Sequence, residues 1–97
     1  MMVEQVIVST ESPRVLRPLL RAAIQTEAKT LAHGIQRTKQ RLLAFETQFG
    51  MSSDEFERRY LAAEIAESLD FIEWFGEIKM LRVLTEQKQA LDGAKVR

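Results

Sequence analysis

The residues around Gly50 constrain the fold most, because they predict that one helix ends and another begins within a few positions. Gly50 readily adopts the left-handed backbone conformation that terminates a helix. Ser52 and Glu55 then form a capping-box pattern, in which the Ser hydroxyl accepts a hydrogen bond from the Glu55 N–H and the carboxylate returns to the Ser52 N–H. The pattern predicts a sharp turn followed by a helix that begins at Ser53.

A long amphipathic helix is predicted before this turn. Ser12 and Pro13 are typical of a helix start, but Pro18 would remove a hydrogen bond inside a helix. We therefore expect the main helix over 16–49, or a kink at Pro18, with a length above about 45 Å. From Ala28 onward the apolar or small positions alternate in steps of three and four, as in a coiled-coil seam. The complete set of these positions is Leu16, Leu20, Ile24, Ala28, Leu31, Ile35, Thr38, Leu42, Phe45 and Phe49.

The second half of the chain predicts one or two further helices. We expect helices over 53–67 and 69–92, with Ser68 as the cap of the last one and Gly93 as its end. A single continuous helix remains an alternative, because the residues before Ser68 have high helix propensity. Residues 93–97 form a polar tail. The predicted fold class is mainly α: a short N-terminal strand, a long helix, a tight turn and an antiparallel helical hairpin or bundle.

The N-terminal arm, residues 1–11, contains the one segment typical of a strand. Its β-branched residues lie between polar neighbours. A lone strand leaves its backbone groups unpaired, so we expect it to pair with a symmetry mate or with a strand edge on another protein; a disordered apolar tail is the alternative. We predict a homodimer or higher homo-oligomer, held by the arms or by the long helices. The residues expected in these contacts are Val6, Ile7, Val8, Leu31, Ile35, Leu42 and Phe45.

The length of 97 residues predicts a single domain, residues 1–97, since separate cores need roughly 50 or more residues each. The chain has no Cys and no apolar run long enough for a membrane span, and we expect a cytoplasmic protein. The net charge is zero, which argues against DNA binding through bulk charge. The charge is nevertheless segregated: 12–41 is strongly basic and 42–78 is strongly acidic. We expect these segments to pack together, with two separately solvated faces as the alternative.

No residue pattern predicts catalysis, a metal site or a cofactor. His33 is the only histidine, so there is no pair of metal-ligand histidines and no base for a catalytic triad. The acids at helical spacing lack the Glu-x-x-His pairs of di-metal bundles, and we interpret them as a solvated or docking face. Those acids are Glu64, Glu67, Asp70, Glu73 and Glu77. We expect no enzymatic activity.

Three aromatic residues near the start of the last helix are candidates for partner binding. Phe71, Trp74 and Phe75 would form an interface hot spot if they face outward. Glu73 and Glu77 would then make an acidic rim suited to a basic partner. The alternative is that Trp74 fills the core between the long helices.

The segment 45–84 contains a recurring residue pattern around the turn and the start of the last helix. This pattern is an aromatic residue followed by Gly-Met-Ser-Ser-x-Glu-Phe, then a short acidic helix, then Asp-Phe-x-Glu-Trp. It falls here on Phe49, Gly50, Met51, Ser52, Ser53, Glu55, Phe56, Asp70, Phe71, Glu73 and Trp74. On these residues the segment resembles small prokaryotic proteins of antitoxin type, and the resemblance implies a toxin-like partner protein encoded nearby. It does not imply the DNA-reading strand of ribbon-helix-helix antitoxins, because the arm carries no Lys or Arg.

Two functions follow from these observations. The first is a non-catalytic regulatory module that resembles an antitoxin and neutralises a partner protein by occluding its surface. The second is a structural, self-assembling helical hairpin without a toxin-like partner. The two differ in whether a protein encoded nearby co-purifies with this chain.

Overall fold

Three helices make up a helical hairpin in the computed structural model, which describes residues 3–97. Helix α1 spans Pro13–Phe49, α2 spans Ser53–Leu61 and α3 spans Leu69–Asp92. At 1.5 Å per residue α1 is about 55 Å long, which matches the 56 Å long axis of the molecule. Helix α3 packs antiparallel along α1, and the short α2 packs at the turn end. The predicted mainly helical hairpin is confirmed.

The start of α1 differs from the prediction. The helix begins at Pro13, three residues before the expected position, and Pro18 lies inside it. Pro13 occupies the first helical position, where its missing N–H has no intrahelical partner to lose. The first helical hydrogen bond is donated by the Leu16 N–H to the Ser12 carbonyl, at 3.0 Å. Pro18 therefore removes one bond in the second turn without ending the helix.

The turn between α1 and α2 forms largely as predicted. Gly50 is left-handed with φ 67°, and its N–H donates to the Glu46 carbonyl at 2.9 Å. The Ser52 hydroxyl accepts from the Glu55 N–H at 3.1 Å. The predicted return bond from the Ser52 N–H to the Glu55 carboxylate is wrong. That carboxylate accepts hydrogen bonds from two arginines of α2 instead. The Glu46 carboxylate supplies a different cap and accepts from the Ser53 N–H at 2.7 Å.

Helix α2 is shorter than the predicted 53–67, and a loop rather than a continuous helix follows it. Ala63 adopts a left-handed conformation with φ 57°. Its N–H donates to the Tyr60 carbonyl, and the Glu64 N–H donates to the Arg59 carbonyl at 2.9 Å. These two bonds form a Schellman motif, which satisfies the last carbonyls of α2 and ends the helix at Leu61. The bounds predicted for the last helix, 69–92, are confirmed, and the Ser68 hydroxyl caps it by accepting from the Phe71 N–H.

The core lies at the turn end, where all three helices meet. Trp74 and Phe56 are fully buried there, with Leu42 and Ile78 beside them. The rings of Phe56 and Trp74 stack with centroids 3.9 Å apart. The aromatic side chains that surround them include Phe45, Phe49, Tyr60, Phe71 and Phe75. This cluster fixes α2 against the hairpin.

At the end of the hairpin far from the turn, α1 forms hydrogen bonds with the C-terminal tail. The guanidinium groups of Arg17 and Arg21 donate to the carbonyls of Arg97 and Val96, at 3.0 and 3.3 Å. The C-terminal tail therefore lies along the first turns of α1 rather than extending freely. No strand is present among residues 3–97. The first two residues of the predicted arm lie outside the described part of the chain.

Candidate protein-binding surfaces

The N-terminal arm is extended and exposed along its described length. Val3, Val6, Ile7 and Val8 have between 59 and 92% of their surface exposed. The hydroxyl of Thr10 accepts a hydrogen bond of 3.0 Å from the Ser12 N–H, which anchors the arm just before α1. The predicted strand has no pairing partner within the described chain, so its backbone groups are available to a second chain.

The predicted aromatic patch is divided between two environments. Trp74 is fully buried and its indole N–H donates to the Ser53 hydroxyl at 3.0 Å. This placement matches the alternative in which Trp74 fills the core. Phe71 and Phe75 are half-buried beside α2, with the rings of Phe75 and Tyr60 5.1 Å apart. The acidic rim predicted around Trp74 does not form, because the tryptophan is not at the surface.

The two predicted rim acids instead line a groove between α1 and α3. Glu73 and Glu77 lie on the flank of α3 that is turned away from α2. The opposite flank carries Phe75 and Arg82, which contact Tyr60 and Glu57 of α2. At about 3.6 residues per turn, residues 75, 79 and 82 lie on one flank of α3, and residues 73, 76 and 80 lie on the opposite flank. Helix α2 therefore covers one side of the hairpin and leaves the other side open.

This open side, which we name the α1–α3 groove, has a volume of about 720 Å³. Helix α1 lines it with basic, amide and apolar groups, and α3 lines it with acids, a glycine and a methionine. Across the groove, Arg41 Nη1 lies 3.1 Å from Glu77 Oε1, the one ion pair between α1 and α3 in the described residues. The lining residues are Arg41, Ala44, Phe45, Gln48, Glu73, Gly76, Glu77 and Met80.

The predicted dimerisation residues of the long helix lie mostly within the hairpin. Leu31 and Leu42 are buried, with 6 and 8% exposure, and Ile35 and Phe45 are half-buried. Leu31 and Leu42 therefore serve the contact between α1 and α3 of one chain rather than an α1–α1 contact between chains. The arm residues Val6, Ile7 and Val8 are free for such a contact.

Several residues that shape these surfaces carry no distinctive sequence pattern. At Ser53 the sequence predicts only the start of a helix. The Ser53 hydroxyl also accepts a hydrogen bond from the indole N–H of the buried Trp74. Gly76 and Ala44 belong to no motif, although they leave the groove open. The signal for the groove is the register of small residues on facing helices, which is informative only once the pairing of α1 with α3 is known.

The described residues show no group of three or more His, Asp or Glu that could hold a metal ion. None of the described helices combines the length and apolar character needed to cross a membrane. Comparison with protein-family models, with curated proteins and with solved structures finds no match to this chain. The exposed arm and the groove are therefore the features from which a function can be inferred.

Proposed function

We propose that the chain is a non-catalytic, antitoxin-like protein-binding module, which neutralises a partner protein by occluding its surface with the N-terminal arm. The observation that carries this proposal is the extended arm, whose four large apolar side chains are at least 59% exposed. The rest of the chain forms a hairpin that presents this arm at the end far from the core.

The pattern of the arm supports a strand edge as its target. In an extended chain, alternate residues point to opposite faces, so Val6 and Val8 lie on one face while Val3 and Ile7 lie on the other. Both faces are thus apolar, as in a strand that is covered on both sides. A peptide added to an exposed sheet edge gains main-chain hydrogen bonds and fills side-chain pockets.

The second candidate is a structural, self-assembling hairpin without a toxin-like partner. The α1–α3 groove favours it, because an open face with paired charges suits contact with another helical hairpin. The two candidate functions differ in the role of the N-terminal arm. Only the first requires the arm to contact a different protein.

The test is co-expression of the tagged chain with the untagged protein encoded next to it. We expect the neighbour to co-purify with the wild type, and the double variant Val6→Asp and Val8→Asp to lose it. The matched control is Gln5→Asp with Ser9→Asp, which adds the same charge at polar arm positions and should retain the neighbour. Circular dichroism should show the same helix content in all three proteins.

Two results would contradict the proposal. Co-purification that survives the Val6 and Val8 substitutions would mean that the partner binds elsewhere. A neighbour that never binds the wild type would favour the structural hairpin.

A further inference from the structure

We infer that the α1–α3 groove binds a second copy of this chain, and that two hairpins form a four-helix bundle about a two-fold axis parallel to the helices. This contact lies outside the arm, so it is independent of the antitoxin-like function, and it deepens the second candidate by assigning the occupant of the groove and its symmetry. The charges, the hydrogen bonding and the sterics of the groove all favour a second copy as its occupant.

The two walls of the groove carry opposite charges at the same level. Helix α1 contributes Arg41, and α3 contributes Glu73 and Glu77. Rotation about an axis along the groove places α1 of one copy over α3 of the other and moves no residue along the axis. Since Arg41 and Glu77 are level within one chain, Arg41 of each copy would face Glu77 of the other. Opposite charges would then alternate around the axis.

The other two-fold arrangement of the same face is disfavoured. An axis across the groove at this level, perpendicular to the helices, would place α1 over α1 and α3 over α3. Arg41 would then face Arg41, and Glu77 would face Glu77. Like charges brought together at an interface are strongly unfavourable. The charge pattern thus selects the axis parallel to the helices.

Glu77 has an unused acceptor in the single chain. Its Oε1 accepts from Arg41, but its Oε2 is buried and has no hydrogen-bond partner among the described residues. A buried polar atom without a partner is uncommon and costs stability. Because this oxygen is enclosed by its own chain, the Glu77 carboxylate must rotate before the guanidinium of Arg41 from the second copy can supply the missing donor.

The sterics of the groove also fit a neighbouring helix. A Cβ added to Gly76 would meet nothing within 4 Å, so packing inside one chain does not require a glycine there. Glycine within a helix is nevertheless less stable than alanine by about 1 kcal/mol. Gly76 and Ala44 leave room for close approach, and the half-exposed Met80 offers an adaptable apolar contact.

The first test fills the groove without disturbing the hairpin. Sedimentation equilibrium of the full chain should give twice the 11.2 kDa monomer mass. Gly76→Gln should raise the dissociation constant of the dimer at least tenfold, roughly 1.4 kcal/mol, with unchanged helix content. The matched control is Ala22→Gln on an exposed position of α1 outside the groove, which should remain dimeric.

The second test separates contact between copies from the ion pair within one chain. Arg41→Glu and Glu77→Arg, each alone, place like charges across the proposed interface and should be monomeric. When the two single variants are mixed, the carboxylate introduced at position 41 of one copy would face the guanidinium introduced at position 77 of the other, so a heterodimer should form. Rescue by mixing cannot come from the internal pair, because that pair stays mismatched in both proteins.

Several outcomes would overturn the inference. A wild type that stays monomeric at submillimolar concentration excludes the bundle. A dimer that survives Gly76→Gln, or single variants that fail to associate when mixed, excludes this groove as the interface. A dimer lost on substitution of Val6 and Val8 would instead assign the contact to the arms. The proposed function is tested separately, since its readout is the neighbour protein rather than the mass of the chain.

Discussion

Trp74 of α3 and Ser53 of α2 are joined by a hydrogen bond of 3.0 Å from the indole N–H to the serine hydroxyl. Trp74 is fully buried, so this bond provides a partner for a polar N–H inside an aromatic core. Ser53 is the first residue of α2 and follows the cap Ser52. The bond therefore fixes the start of α2 against the middle of the core.

Removal of the Ser53 hydroxyl tests this relationship. Ser53→Ala leaves the indole N–H buried without a partner, and we expect a loss of about 1–3 kcal/mol in the free energy of unfolding. Urea denaturation followed by the fluorescence of Trp74, the only tryptophan, measures it directly. Ser9→Ala in the exposed arm is the control and should change stability by less than about 0.5 kcal/mol. Equal stability of the two variants would show that the indole finds another acceptor.

The left-handed conformation of Gly50 predicts that any side chain at this position lowers the free energy of unfolding. Its φ of 67° is unfavourable for residues with a Cβ, although a Cβ at Gly50 would meet no atom within 4 Å. Gly50→Ala should therefore lower the free energy of unfolding by roughly 1–2 kcal/mol through the backbone alone, and Gly50→Val should lower it more because valine is β-branched. Thermal melts measure both variants. Gly93→Ala, at a right-handed φ of −86°, is the control and should cost less than Gly50→Ala.

At Ala63 we expect the opposite effect, in which replacement by glycine raises the stability of the protein. Ala63 is the one non-glycine residue with positive φ in the described chain, and the left-handed region costs a residue with a Cβ roughly 1–2 kcal/mol. Ala63→Gly should stabilise the protein, by less than this cost because glycine gains entropy in the unfolded chain. The neighbouring Ala62→Gly, at φ −82°, should destabilise it. A lower melting temperature for Ala63→Gly would mean that the end of α2 differs from the structure.

The acidic groups of α2 predict a pH dependence of stability. Hydrogen bonds from Arg58 and then Arg59 lower the pKa of Glu55 from 4.5 to about 2. A pKa lowered by folding gives a stabilisation that is complete above the unfolded pKa of 4.5 and is lost as the pH falls toward 2. The difference in melting temperature between wild type and Glu55→Gln should therefore shrink from about pH 5 to about pH 2.

The size of this effect should be modest and sensitive to salt, because the ion pairs are exposed. Glu86→Gln on the exposed surface of α3 is the matched control, and its difference from wild type should change less over the same range. A constant difference for Glu55→Gln across this acidic range would contradict the role of the arginine pair. The Glu57 carboxylate, whose pKa is lowered by a hydrogen bond from Arg82, should behave in the same direction.

Local sequence patterns were enough to predict where the helices on either side of the turn end and begin, because these positions depend on hydrogen bonds and backbone conformations within a few residues. Gly50, Ser52 and Ser68 act within a few residues of themselves, so their patterns were sufficient to place the turn, the start of α2 and the start of α3. The apolar spacing of α1 was likewise sufficient to predict its seam, including the buried Thr38. These signals require no knowledge of what packs against them.

Contacts between distant parts of the chain settle where α2 ends and which side of α3 is covered. Residues 62–67 have high helix propensity, yet α2 ends at Leu61 and the chain turns at Ala63. Ile65 then packs on the core, and the Tyr60 hydroxyl donates to the Glu67 carboxylate. The aromatic residues of α3 lie on one helical face, but periodicity alone does not decide whether that face packs inside the chain or binds a partner. Trp74 lies in the core, and Glu73 and Glu77 line the groove, because α2 folds against one flank of the hairpin. Such choices depend on residues far apart in sequence, which local propensity does not encode.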